Sequence, residues 1–335
     1  MRKTGLALAV FLALGLARAA EPEPPAAHFA LERPEIAAFI DGLVERGPLS
    51  RRKVVQLLAQ AVPQPRIIDL MSRPLEKISP WWQYREHFLT EQRIRDGAKF
   101  WADHREQLER IAAERGVAPE YLVAVLGVET SYGQNTGRFR VLDALATLAF
   151  DYPSRSDFFR AELEQFLLLT REDRLDPLTT TGSYAGAMGA GQFMPSSYRR
   201  YAIDENGDGR RDLWNDWADV VGSVANYFRE HGWQPGAPVL AAATLDPDAN
   251  FVADPRNLEL NDTVDGLRAR GIEFAVALAG DQPAMIIPAE EPDGPSYRVG
   301  FRNFQVITRY NRSVRYAMAV HDLASAIAAR VAAGS

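Results

Sequence analysis

The nine residues Asp204-Glu-Asn-Gly-Asp-Gly-Arg-Arg-Asp212 constrain this chain more than any other segment. Oxygen-bearing side chains recur at every second position, and a glycine follows the third. A calcium loop places its ligands at positions one, three, five, seven, nine and twelve, with glycine making the sharp turn at six. Asp204, Asn206, Asp208 and Gly209 match positions one, three, five and six. Arg210 offers its backbone carbonyl at seven, and Asp212 stands at nine. Position twelve is Asn215 rather than a bidentate glutamate, so the last ligand is expected from Asp216 or Asp219. Hard oxygen donors at this spacing select calcium over zinc. The plainer reading is an ion-free Asx-Gly turn. A single EF-hand-like loop with an altered end points to a structural ion that fixes a long loop and the helix expected near Asp219. A calcium sensor would need a second, paired hand.

Just upstream runs Gly182-Ser-Tyr-Ala-Gly-Ala-Met-Gly-Ala-Gly-Gln-Phe-Met-Pro-Ser-Ser-Tyr198, with glycine at 182, 186, 189 and 191. Glycines let a backbone approach a bulky ligand closely. A phosphate loop is excluded, because the order is not G-x-G-x-x-G and no lysine follows. Gln192 supplies a donor and an acceptor, and Phe193 and Met194 supply apolar walls. Sugars bind to such mixed walls. The competing reading is a tight contact between helices.

Glu129 follows the apolar run Ala-Val-Leu-Gly-Val. Pro119 suits a first helical turn. Leu122, Val125, Leu126 and Glu129 then share one face, and Gly133 offers a stop. Desolvation and the negative end of a helix dipole both disfavour a charged carboxylate, which suits a general acid. The bland alternative is a helix-end glutamate turned to solvent. Glycosidases generally use a second carboxylate. Asp143 and Asp151 follow without a convincing context, so a single-carboxylate scheme is favoured. In it the acid protonates the leaving oxygen, then takes a proton from a substrate hydroxyl that closes a ring.

The 335 residues are 47% hydrophobic and 24% charged with a formal net charge of −6, ordinary for a globular chain and without a basic patch for nucleic acid. Residues 1–20 read as a signal peptide: Arg2 and Lys3, an apolar stretch from Leu6 to Leu16, then Ala17-Arg-Ala-Ala20. Residues 21–27 read as a linker. The alternative, an uncleaved anchor that keeps the chain at the membrane, suffers from too short a span. The chain has no cysteine, hence no disulfide and no lipidated cysteine at the cleavage site. A soluble periplasmic monomer is the expectation, with no organic cofactor.

Residues 28–115 read as helical, with Arg93–Arg115 as one long amphipathic helix. Trp81-Trp82-Gln-Tyr84 suits either core or cleft. Helices are expected over Leu142–Ala149 and Ser156–Thr170. Between Gln234 and Thr308 proline and glycine become frequent. Strands are expected at Val239–Ala241, Phe274–Leu278, Ala284–Ile287 and Tyr297–Phe301, with a short helix starting within 260–267. A last helix is expected over about 312–331, with Asn311 as its cap. The class is therefore mainly α, α+β, with a small β-containing insert.

The motifs Val-Glu129-Thr-Ser-Tyr-Gly133, Gly-Ala-Met-Gly-Ala-Gly-Gln-Phe-Met-Pro-Ser-Ser-Tyr198, Gly222-Ser-Val-Ala-Asn-Tyr-Phe228 and Arg309-Tyr-Asn-Arg-Ser313 resemble the lytic murein transglycosylase B family. The likeness runs from about residue 28 to the C-terminus. It implies a lysozyme-like core over 116–233, a helical region over 28–115, a small β domain over 234–304, and a segment 305–335 that completes the cleft. It implies cleavage of the β-1,4 bond between N-acetylmuramic acid and N-acetylglucosamine in peptidoglycan, leaving 1,6-anhydromuramyl ends. Glu129 matches the family's single acid/base. Ser183, Gln192, Phe193, Met194, Tyr227, Tyr310, Asn311 and Tyr316 match positions lining its glycan cleft. Asp204, Asn206, Asp208 and Arg210 match its calcium loop, and Asp219 its final ligand. One extra residue between Trp214 and Gly222 departs from the family pattern and leaves Asp216 and Asp219 as alternatives. Rival readings are a hydrolytic muramidase on the same fold and a non-catalytic glycan-binding protein. Other cell-wall enzymes are the expected protein partners.

Overall fold

The run Tyr121-Leu-Val-Ala-Val-Leu-Gly127 has no polar face, and all seven of its residues are buried. A helix apolar all round must be wrapped on every side, and the rest of the chain does this. The computed structural model describes residues 28–72, 80–249 and 254–334. The expected signal peptide and linker lie outside them. Helices α1 (Pro34–Arg46), α2 (Arg51–Leu58), α3 (Pro65–Met71), α4 (Trp81–Glu86), α5 (Glu91–Asp103) and α6 (Arg105–Arg115) precede the central α7 (Pro119–Thr130). After it come β1 (Phe139–Arg140), α8 (Val141–Asp151), α9 (Ser156–Glu172), β2 (Thr181–Gly182), α10 (Pro195–Tyr201) and α11 (Trp217–Glu230). The insert holds β3 (Leu240–Leu245), β4 (Asp262–Thr263), α12 (Val264–Ala269), β5 (Ile272–Phe274), β6 (Pro283–Glu291) and β7 (Gly294–Gly300). Helices α13 (Arg302–Tyr310) and α14 (Val314–Ala332) close the chain.

α5, α6, α11 and α14 all pack on α7. Leu122, Val125 and Leu126 are fully buried there, and each such side chain contributes roughly 1.5–3 kcal/mol. The approach is close enough to require glycine. A Cβ on Gly127 of α7 would lie 2.6 Å from the Tyr132 hydroxyl, and one on Gly97 of α5 would lie 2.5 Å from it. The N-terminal helices share this core: one buried cluster runs from Phe29 through Trp81 and Tyr84 to Ile327. The Trp81 and Tyr84 rings thus belong to the core. Asp143 on α8 accepts from Arg140 Nε at 2.9 Å and from the Val62 N–H at 2.9 Å, pinning α8 to the chain before α3.

The insert forms an antiparallel five-stranded sheet in the order β4-β6-β7-β3-β5. It has its own small core of Val264, Leu267, Ile272, Ala284, Ile286, Val299 and Phe301. A second sheet has two strands, β1 and β2, pairing Phe139 with Gly182. It ties the segment after α7 to the start of the glycine-rich run.

Four local expectations are corrected. The helix expected over Arg93–Arg115 is two helices, because His104 leaves helical geometry at φ −117° and ψ 19°. Its ring lies against Phe100 and Trp217, which redirects the chain. The strand expected over Phe274–Leu278 ends at Phe274. β5 is an edge strand paired only with residues 243–245, and Val276 and Leu278 pack on the small core as loop residues. The cap of the last helix is Ser313, whose hydroxyl oxygen accepts from Tyr316 N–H, whereas Asn311 ends α13. Finally, α7 stops before Gly133: Ser131 and Tyr132 already adopt left-handed φ values of 51° and 59°.

Candidate active site

Glu129 stands in the last turn of α7, half-buried. The chain then turns through Ser131, Tyr132 and Gly133, all left-handed. Such backbone costs about 1–3 kcal/mol at a non-glycine residue and persists only where its surroundings enforce it. Here they do. Thr130 Oγ1 donates to Ala190 O at 2.8 Å and accepts from Gly133 N–H at 2.9 Å. The Tyr132 hydroxyl donates to Arg93 O at 2.8 Å. The turn swings the chain away, and the Thr130 bond brings the glycine-rich run beside Glu129.

That run is a tight loop closed by reciprocal hydrogen bonds between Met188 and Phe193, both 2.9 Å. Gly186 and Gly189 take φ values of 83° and 69°, and Gln192 takes 52°. Gln192 is held there by its Nε2, which donates to Thr136 O at 3.1 Å and Gly189 O at 3.0 Å. Ser183 Oγ accepts from Ala187 N–H at 3.0 Å, so it fixes the loop's first bend. Met194 is half-buried at the start of α10.

From the far end of the chain, Tyr316 on α14 donates its hydroxyl to Glu129 Oε1 at 2.6 Å. The Tyr316 phenol is raised well above its usual 10, first by burial and then by the negative charge of Glu129. It therefore stays a donor at any working pH. Tyr310 is raised in the same way, by burial and then by Glu129, and donates to Gly191 O at 2.5 Å. Its ring meets Tyr227 edge-on at 4.8 Å and Phe193 at 5.8 Å. Tyr227 donates to Arg309 O at 2.6 Å and stacks on His231 at 4.1 Å. Phe193, Tyr227 and Tyr316 are less than a tenth exposed. The Phe193, Tyr227 and Tyr310 rings form one cluster, and Tyr316 lies against Glu129. Asn311 is exposed between α13 and α14.

The loop 204–212 lies between α10 and α11. Asp204 Oδ1 accepts from Gly207 N–H at 2.8 Å, and its Oδ2 from Gly209 N–H at 2.7 Å. Asn206 Oδ1 accepts from Asp208 N–H, and Asp208 Oδ1 from Arg210 N–H. Asp219, 1% exposed, accepts from Glu205 N–H and Asp212 N–H, both at 2.8 Å. Asp216 caps α11 and accepts from Asn206 Nδ2 at 2.6 Å. Among the described residues no group of three or more His, Cys, Asp or Glu is gathered as a ready metal set. The charge balance is nonetheless short of a cation. Burial, then Asp216 and Asp204, raise the Asp219 carboxyl above its usual value. Among the described residues no Lys or Arg forms an ion pair with Asp204, Asp208, Asp216 or Asp219. The loop and the start of α11 thus carry, at these four positions, oxygen donors with no cationic side chain paired to them among the described residues.

The chain after the loop touches the segments on either side of the glutamate turn. Ala190 N–H donates to Leu213 O at 2.7 Å. Trp217, at the start of α11, lies so close to Gly133 that a Cβ there would meet its ring at 2.8 Å. Glu205 docks the loop on α6 through Arg110 and Arg115, at 3.0 and 2.7 Å.

The transglycosylase SLT domain matches residues 32–325. This chain belongs to that family. Membrane-bound lytic murein transglycosylase B of Escherichia coli K12 is 40% identical over 304 residues, 88% of this chain and 83% of the relative. The catenated lytic transglycosylase SltB1 from Pseudomonas aeruginosa superposes with a TM-score of 0.85 at 45% identity, covering 89% of this chain and 98% of that one. The Escherichia coli lytic transglycosylase Slt35, solved in complex with calcium, gives 0.81 at 38% identity, covering 92% and 97%. The lysozyme-like α+β class expected for this transglycosylase is the observed one. No helix among its described residues is long and apolar enough to cross a membrane.

Several site features had no local signal. Tyr316 reaches Glu129 across 187 positions of sequence, and Thr130 reaches Ala190 across 60. Removing the Tyr316 hydroxyl deletes one charge-assisted hydrogen bond, worth about 1.5–3 kcal/mol. Tyr316→Phe in this transglycosylase should therefore lower kcat roughly 10- to 100-fold. Unchanged turnover would remove Tyr316 from the machinery.

Proposed function

We propose that this chain is a peptidoglycan lytic transglycosylase. It cleaves the β-1,4 bond between N-acetylmuramic acid and N-acetylglucosamine without water and leaves a 1,6-anhydromuramyl end. The observation that carries the reading is the Tyr316 hydroxyl 2.6 Å from Glu129 Oε1, at the rim of a glycine-rich loop. Protonated Glu129 donates to the glycosidic oxygen, and the bond from C1 breaks. The muramyl N-acetyl group supports the positive charge at C1, held by cleft polar groups such as Asn311. Glu129, now a carboxylate stabilised by Tyr316, takes the proton of the C6 hydroxyl, and O6 closes on C1. The acid is restored and nothing else is consumed.

The single-carboxylate scheme draws support from the two aspartates that follow Glu129 in the sequence. Asp143 is tied to Arg140 and the Val62 N–H, and Asp151 is tied to Arg33 at 2.7 Å. Neither is poised to activate a water. Ser183, Gln192, Phe193, Met194, Tyr227 and Tyr310 shape the glycan cleft, the buried ones from behind.

Calcium is a structural ion in this reading. Asp204, Asn206, Asp208, the Arg210 carbonyl and Asp219 would hold it, and it would supply only positive charge and rigidity. The catalytic unit is residues 116–233 with 305–335, flanked by the helical region 28–115 and the insert 234–304. The enzyme works in the periplasm after export, as a monomer alongside other cell-wall enzymes. Mass spectrometry of soluble products from purified peptidoglycan tests the reaction. Anhydromuramyl ends are expected. Reducing muramic acid ends would replace transglycosylation with hydrolysis.

A further inference from the structure

Arg93, in the first turn of α5, is a half-buried cation. Among the described residues no carboxylate forms an ion pair with it. Its Nη1 donates to His87 O at 2.8 Å, its Nη2 donates to Ser131 Oγ at 3.2 Å, and its guanidinium lies over the Phe88 ring at 5.3 Å. Taking a guanidinium partly out of water without a counter-charge is unfavourable, and burial holds this one below its usual value. A side chain needed only for packing could be apolar without that penalty. What the guanidinium supplies is a fork of N–H donors in fixed geometry. One arm is anchored at the end of α4, and the other holds the residue two places after Glu129.

Ser131 is where the chain first turns left-handed, at φ 51°, directly after α7. A serine keeps that conformation only where its surroundings enforce it. Thr130 and Tyr132, on either side, are held by the carbonyls of Ala190 and Arg93. The Arg93 guanidinium supplies the side-chain bond to Ser131 itself. The same turn of α5 is also tied to α14, through the ion pair of Glu91 with Arg330. The start of α5 is thus joined both to the turn after Glu129 and to the helix whose Tyr316 donates to Glu129. We infer that Arg93 is a positioning residue for the transglycosylase reaction: by holding Ser131 in its left-handed turn, it fixes the direction in which the end of α7 presents Glu129. It acts through Ser131 and not on the sugar. The inference rests on the proposed role of Glu129 as acid and base.

Arg93→Met keeps the length of the side chain and loses both hydrogen bonds. On soluble glycan strands it should lower kcat roughly 10- to 100-fold with KM within about twofold, the pattern of a misaimed reacting group. Arg93→Lys keeps a charged donor and should recover part of the loss. Ser131→Ala keeps the left-handed φ and loses the acceptor, so it should fall as far as Arg93→Met, and R93M/S131A should fall no further than either. Ser131→Gly takes the left-handed turn at no steric cost and should fall less. Hydrogen exchange reads the brace without turnover. In Arg93→Met the Ser131 and Tyr132 amides, which donate to Gly127 O and Leu126 O, should exchange at least about tenfold faster, while those of 122–126 keep their rates. Losses that multiply in the double variant, parental kcat in Ser131→Ala, a fall carried by KM, or unchanged exchange at 131–132 would each overturn the positioning role. An unaltered protein that releases no anhydromuramyl ends would fail the functional reading instead, and the exchange result would still decide whether Arg93 holds the turn.

Discussion

Glu129→Gln should abolish peptidoglycan turnover while leaving the fold intact. The amide keeps the length and shape of the side chain, and its oxygen can still accept the hydroxyl of Tyr316. What it loses is the transferable proton. A positioned general acid or base contributes about 10²–10⁴ in rate. Here one group serves both steps, so the two losses fall on a single side chain. The expected fall in kcat is at least about 10³, which is roughly 4 kcal/mol of barrier. The melting temperature should move by no more than about 2 °C, since nothing is cut from the core. Release of soluble muropeptides and a thermal melt on the same preparation check both halves. Turnover within tenfold of the unaltered protein would end the role of Glu129. Lost turnover with a collapsed melting temperature would make Glu129 a structural residue instead.

Much of this site is written locally in the sequence. The oxygen spacing from Asp204 to Asp212 is a property of nine consecutive residues. The apolar run before Glu129 announces a helix and marks where the carboxylate at its C-terminal end falls. The insert is legible because proline and glycine become frequent where strands begin. What stays hidden is set by contacts between distant segments. Only Gly133 advertises a left-handed turn, yet Ser131 and Tyr132 enter it first, because Ala190 and Arg93 supply the partners. His104 is an ordinary helical residue until Phe100 and Trp217 meet its ring. The helix Arg302–Tyr310 follows directly on a strand, and its buried Phe304 and Ile307 read equally well as a continuation of that strand. Periodicity fixes which residues face inward. It does not say which inward-facing residue will meet Glu129.

Removing calcium should soften the whole cleft, and the path is visible in the hydrogen bonds. Asp219 is 1% exposed, is raised above its usual carboxylate value by burial and by Asp216 and Asp204, and has only backbone N–H groups as described partners. A buried carboxylate among others is costly unless a cation joins it. An ion present at about one hundred times its dissociation constant stabilises the folded state by about 2.7 kcal/mol. For a chain of this size that corresponds to a melting temperature roughly 4 °C higher than with a chelator. Added calcium should restore it after chelation. Asp219→Asn keeps the shape and one of the two acceptor oxygens, turns an NH2 toward the other backbone N–H, and removes the charge that needs the ion. Its melting temperature should respond little to chelator. Because Leu213 holds Ala190, and Trp217 sits against Gly133, chelation should also lower kcat. A melting temperature indifferent to chelator in the unaltered protein would leave the loop an ion-free turn. A shift of equal size in Asp219→Asn would place the ion elsewhere.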